Sequence, residues 1–156
     1  MKARTRSLIA EFLRYLEFQR NVSINTLTAY REDLQQFGSF LGTMPLEAVD
    51  YPALRRFLAV LRDRGYNPAS VARKVAALKS FFRHLARTRK IPADPARLLR
   101  SPRLPERLPN FLSQEEVRCI IEAPEGSSIS SVRDRAILEL LYSSGLRVGE
   151  AAALRI

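Results

Sequence analysis

Apolar residues recur through the first ninety positions at steps of three and four, and no stretch shows the strict alternation of a strand. The first run starts near Ser7, carries Leu8, Phe12, Tyr15 and Leu16 on one side, and ends at Asn21 and Val22. The second carries Leu27, Tyr30, Leu34, Phe37 and Leu41 as one continuous seam. Ser23 or Asn25 can cap its start, and Gly42 stops it. Asp50 caps a third run, with Pro52 in its first turn. Its core face is Leu54, Phe57, Leu58 and Leu61, and Gly65 follows its end. The fourth begins near Pro68 and reaches about Arg87, with Val71, Val75, Leu78, Phe82 and Leu85 inward. The pattern predicts an all-α, four-helix domain over residues 1–90.

From Ile91 to Asn110 the texture changes. Pro92, Pro95, Pro102, Pro105 and Pro109 exclude a continuous helix and leave room for a short turn at Ala96 to Leu99. With Arg97, Arg100, Arg103 and Arg107 interspersed, residues 91–110 read as an extended basic linker. Beyond it, Ser113-Gln-Glu-Glu116 is a capping-box signature that opens a helix through about Glu122. After a turn-rich loop over Pro124 to Ser131, another helix is expected from about Val132 to Ser143, burying Ala136, Ile137, Leu140 and Leu141. Arg133, Asp134 and Arg135 fall in its first turn. Residues 111–156 end in mid-pattern, without a cap or turn, and hold too few helices to bury much core. They read as the start of an incomplete second domain.

Charge changes the picture by its placement. The chain carries +10 overall. Residues 1–90 hold 17 Lys and Arg against 7 Asp and Glu, whereas residues 111–156 hold 5 against 7. The excess therefore lies in the four-helix segment and points to a polyanion partner there. On a helical wheel the outward face of the fourth helix holds Arg73, Ala76, Ala77, Ser80, Arg83, His84 and Arg87. Small residues on the centre line flanked by arginines suit a helix lying in the DNA major groove, with Lys79 at its edge. A solvated helix face, or a second packing face allowed by the alanines, would give the same composition. Thr28, Arg31 and Arg103 complete the candidate DNA contacts.

Other chemistry is sparse. Cys119 and His84 are the sole cysteine and histidine, so no intramolecular disulfide forms, and no metal site or cofactor is expected. His84 is placed outward, contacting solvent or phosphate. Tyr15, Tyr30, Tyr51 and Tyr66 read as packing or helix-boundary residues, none set as a nucleophile. Apolar runs are too short to span a membrane, and the basic N-terminus lacks the apolar stretch of a signal peptide. A cytoplasmic setting fits.

The stretch Leu140 to Glu150 concentrates the remaining signal. It predicts a helix end, a turn at Gly145 and a new helix start at which Arg147 could grip a phosphate.

At this point the residues resemble a family. Arg133 to Glu150, with its Gly-Leu-Arg-x-x-Glu ending, is similar to the start of the catalytic domain of Xer-type tyrosine recombinases. Ser23 to Leu34 and Arg73 to Phe82 resemble their N-terminal SAM-like core-binding domain, and Leu108 to Val117 the beginning of the catalytic domain. The resemblance implies a clamp around double-stranded DNA and a tyrosine that cuts and rejoins strands through a 3′-phosphotyrosyl link, without metal or ATP. It implies that Arg147 is the first catalytic arginine, supported by Gly145 and Glu150. It also implies recombinase subunits assembled as a tetramer on two DNA sites.

The family's lysine, His-x-x-Arg segment, later His/Trp position and nucleophilic tyrosine have no match in residues 1–156. Lys79 and Lys90 lie in the wrong domain, and Tyr142 precedes the turn. Gly149 stands where serine is more usual. The expectation is a fragment, monomeric or weakly dimeric, that binds DNA without cleaving it. The alternatives are a non-catalytic DNA-binding or regulatory module, and a helical interaction module whose charge serves solubility or a protein partner.

Overall fold

The computed structural model describes residues 2–104 and 111–154. The described residues form helices joined by turns, with no strand. They divide into two compact units, Met1–Pro105 and Glu106–Ile156.

The first unit is built on α1 (Ala3–Arg20), α2 (Ile24–Leu41), α3 (Tyr51–Asp63) and α4 (Pro68–Arg87), with a 3-10 turn at Leu46–Ala48. The caps follow local chemistry. The Ser23 hydroxyl accepts the Thr26 N–H at 3.3 Å, and the Asp50 carboxylate accepts that of Ala53 at 2.8 Å. Asn67 likewise accepts from Ala69 at 2.9 Å, with Pro68 opening α4. Gly42 turns the chain after α2 at φ 57, a conformation a side chain would strain. The core is aromatic: Phe12, Phe37, Phe57, Phe81 and Phe82 are all essentially inaccessible. Phe37 meets Phe57 and Phe82 edge-on at 5.2 and 5.8 Å, which joins α2, α3 and α4.

The sequence expectation of an extended linker over residues 91–110 is corrected for its first part. Ile91, Ala96 and Leu99 are buried in the core of the first unit. The Asp94 side chain accepts the Ala96 N–H, and Leu99 N–H donates to the Ala96 carbonyl, so the expected turn forms. Those three apolar side chains draw the segment onto the helices. Pro105, Arg107 and Pro109 lie outside the described residues.

The second unit contains α5 (Gln114–Glu122), α6 (Ile129–Ser144) and α7 (Val148–Ala152). Ser113 and Glu116 exchange both capping-box hydrogen bonds, which hold the Glu116 carboxyl below its ordinary range. α6 starts earlier than expected because the Ser128 hydroxyl caps Ser131 N–H, so Arg133 to Arg135 lie beyond its first turn. Its expected core residues are not buried: Ile137 is 44% and Leu140 41% exposed, Ala136 is exposed and Leu141 half-buried. Three helices, one of them five residues long, enclose too little volume to cover them. Among the described residues no helix is long and apolar enough to cross a membrane.

Candidate nucleic-acid interface

The candidate interface depends on how α4 is embedded. A helix packed on one side would present the wide outward face read from the sequence. Instead α4 is covered on two flanks. Val75, Leu78, Phe82 and Leu85 face the core, and Lys74, Ala77, Phe81 and His84 are buried beside them. Phe81 and His84 each stand 5.4 Å from Phe12 of α1, and His84 also lies 4.4 Å from the Tyr15 ring.

The outward placement of Ala77 and His84 is therefore wrong, because α1 covers that flank. Both His84 ring nitrogens are buried without a hydrogen-bond partner. Burial, then the Arg87 charge, lowers its pKa from the ordinary 6.5; Glu11 opposes and Lys90 adds to the lowering.

What remains exposed on α4 is a narrower stripe. Ala76, Arg83 and Arg87 are exposed, while Lys79 and Ser80 are half-buried. Arg87 sits over the Tyr15 ring at 5.0 Å, a cation–π contact made from an exposed position. Among the described residues Lys79, Arg83 and Arg87 make no ion pair.

Arg73 behaves differently. Its guanidinium donates to Asp33 at 2.7 Å and to the Ala29 carbonyl at 3.1 Å, tying α4 to α2. Lys74 donates to the other Asp33 oxygen at 2.7 Å, deep in the unit. Asp33 is thus a buried carboxylate shared by two cations. Burial and its charge raise the pKa of nearby Tyr30, against the lowering effect of Arg73. The sequence reading passed over Asp33 and Lys74, although their positions flank the apolar seams of α2 and α4.

Thr28 and Arg31 are exposed on α2, and Arg103 is exposed after the Leu99 turn. Helical geometry sets Arg31 roughly 160° round α2 from Asp33. No hydrogen bond or ion pair among the described residues joins Thr28, Arg31 or Arg103 to the α4 stripe.

In the second unit, Gly145 ends α6 in the left-handed conformation at φ 65, with its N–H on the Leu141 carbonyl. Arg147 is the N-cap of α7. Its backbone N–H donates to Glu150 at 2.8 Å, and its guanidinium, 86% exposed, approaches the other Glu150 oxygen at 3.3 Å. Gly145 and Glu150 thus shape the turn that carries Arg147. Among the described residues no group of three or more His, Cys, Asp or Glu is gathered to hold a metal.

Residues 9–89 match the family model described as phage integrase, N-terminal SAM-like domain, and residues 110–156 match that of the phage integrase family. The chain belongs to the phage integrase family of tyrosine recombinases. It is 42% identical to tyrosine recombinase XerC of Chlorobaculum tepidum over 94% of this chain and 51% of the relative. The same identity relates it to tyrosine recombinase XerC of Pelobacter propionicus, over 95% of this chain and 50% of that one. The Myxococcus xanthus tyrosine recombinase XerC is 39% identical over 94% and 50%. The chain spans about half the length of the curated relatives it matches. Within the family's frame the four-helix unit corresponds to the SAM-like domain, and the turn bearing Arg147 falls in the segment matched by the second model.

Proposed function

We propose that this chain binds double-stranded DNA through its first unit, with the α4 stripe against the duplex. The observation that carries the reading is Lys79, Arg83 and Arg87 on one side of α4, without carboxylate partners among the described residues, in the part of the chain that holds the positive excess. Such cations displace counterions from phosphate and reach base edges across small neighbours such as Ala76 and Ser80. Arg73, 40% exposed, flanks this surface and also joins α4 to α2. Thr28, Arg31 and Arg103, exposed elsewhere on the unit, would make separate contacts with the duplex backbone.

In the same reading the second unit contributes Arg147 to a phosphodiester site. A guanidinium held only by one exposed carboxylate at 3.3 Å is free to exchange that partner for a phosphate. There it would neutralise charge on the pentavalent transition state of strand cutting and rejoining. Site-specific recombination through a 3′-phosphotyrosyl intermediate, in a tetramer on two DNA sites, is the activity proposed for a protein that joins this chain to the family's remaining catalytic residues. Chromosome-dimer resolution is one such task.

Duplex binding measured against salt concentration tests the first part: a steep loss of affinity with salt is expected, and its absence overturns the reading. A nicked suicide substrate tests the second. Residues 1–156 should retain the substrate without forming a covalent adduct, and an adduct would overturn the assignment of the nucleophile to residues outside this sequence.

A further inference from the structure

A cavity of about 310 Å³ opens on the first unit where α3, the start of α4 and the stretch after Leu99 meet. Its apolar lining includes the half-buried Leu58 and Val71, with Leu99 buried behind them at 1% exposed. Arg55, Arg62 and Arg100 stand around it, all exposed, and among the described residues no carboxylate lines it. Among the described residues none of the three forms an ion pair. The phenols of Tyr51 and Tyr66 flank the opening. Tyr66 accepts from Gln36 at 2.8 Å, while Tyr51 has only a 3.5 Å approach from Arg55.

This is not the stripe assigned to DNA. Val71 lies roughly 140° round α4 from Ala76. The chemistry differs too. A phosphate backbone supplies charge but no apolar group to fill a concave floor, and would leave it wet. An occupant matched to both parts must carry anionic groups and a bulky apolar one.

We propose that this cavity docks an acidic peptide segment of a partner protein. One aromatic or branched aliphatic side chain seats on Leu58 and Val71, above the buried Leu99. Flanking Asp or Glu carboxylates take bidentate hydrogen bonds from Arg55, Arg62 and Arg100, and the Tyr51 hydroxyl donates to a peptide carbonyl. Because Leu99 to Pro102 form one wall, occupancy also holds the segment that leaves the first unit. The proposal stands independently of the DNA reading.

The test is a titration of the methyl-labelled chain with a short acidic peptide bearing a single central phenylalanine, followed by NMR. Shifts confined to Leu58, Val71 and Leu99 methyls are expected. Binding should weaken about tenfold when the peptide's phenylalanine becomes serine, and at least as much in the Arg62→Glu/Arg100→Glu chain. The methyl spectrum reports whether that variant is folded. Ala59→Phe, which fills the cavity and leaves the arginines in place, provides a second block. Duplex DNA affinity should stay unchanged in Ala59→Phe. The proposal is overturned if those methyls do not shift, or if the serine peptide binds equally well. It is also overturned if the arginine and Ala59 variants weaken duplex DNA as much as the peptide, since the cavity would then belong to the DNA surface.

Discussion

Asp33 of α2 and Lys74 of α4 meet at 2.7 Å inside the first unit, with side chains 1% and 7% exposed. Arg73 reaches the other carboxylate oxygen at the same distance from a position 40% exposed. Removing the carboxylate strands the ammonium, whereas Arg73 can turn to water. Asp33→Ala should therefore cost about 3 kcal/mol, most of it from the uncompensated lysine. Thermal unfolding checks this. Asp33→Leu with Lys74→Met should recover most of the loss, because two apolar side chains need no partner.

His84 predicts an acid-sensitive step. Its imidazole is buried against Phe12 and Tyr15 with its pKa lowered, so the unfolded chain binds the proton more tightly. Stability from this group is fully present above the ordinary value of 6.5 and is lost as pH falls through the lower folded value. His84→Leu removes two unpartnered nitrogens and should be neutral or stabilising at neutral pH. Urea unfolding across this range should show a flatter acid limb in the variant.

Lys79→Ala, Arg83→Ala and Arg87→Ala should each weaken duplex binding. Each should also flatten the plot of log affinity against log salt by about one unit, as expected for one lost phosphate contact. Arg73→Ala should separate from them. Its Nη1 donates to both Asp33 and Ala29, so its loss should cost stability as well as affinity.

Leu99→Ala should destabilise the first unit by about 2–5 kcal/mol, as for other fully buried leucines. A linker residue would cost nothing measurable. Chemical denaturation distinguishes the two, and limited proteolysis should show cleavage after residue 91 rising in the variant.

The helices were legible, and so were the starts of α2 to α5, because each is fixed by neighbours in sequence; α1 starts at Ala3 and not near Ser7, with no side-chain cap to mark it. Ser23, Asp50, Pro68 and the Ser113–Glu116 box act within a few residues, and the structure places those boundaries where local chemistry put them. The breadth of the α4 face was not legible. A wheel with one apolar stripe has one inside, but α4 has a second neighbour, and alanine and histidine carry no mark of which side α1 takes. Ile91, Ala96 and Leu99 were hidden for a related reason: prolines break periodicity, so their burial leaves no repeating pattern. The error at Ile137 and Leu140 runs the other way, since periodicity reports the face a helix would bury whether or not a neighbour covers it. In the candidate interface, Lys79, Arg83 and Arg87 lie on one side, while Arg73, beside them, also ties α4 to Asp33 of α2.

The two-sided packing of α4 also separates the inherited part of this surface from the changeable part. Phe81, Phe82, Val75 and Leu78 bind the helix into the fold, and their replacement would endanger the whole unit. Ala76 and Arg83, both exposed, carry little of that duty, and surface exchanges of this kind usually shift stability by no more than about 0.5 kcal/mol; the half-buried Lys79 and Ser80, and Arg87 on the Tyr15 ring, carry somewhat more. New side chains can be tried at these positions, over generations or in a library, on a scaffold that tolerates them. If the proposed duplex binding holds, retargeting the chain to another sequence would begin there.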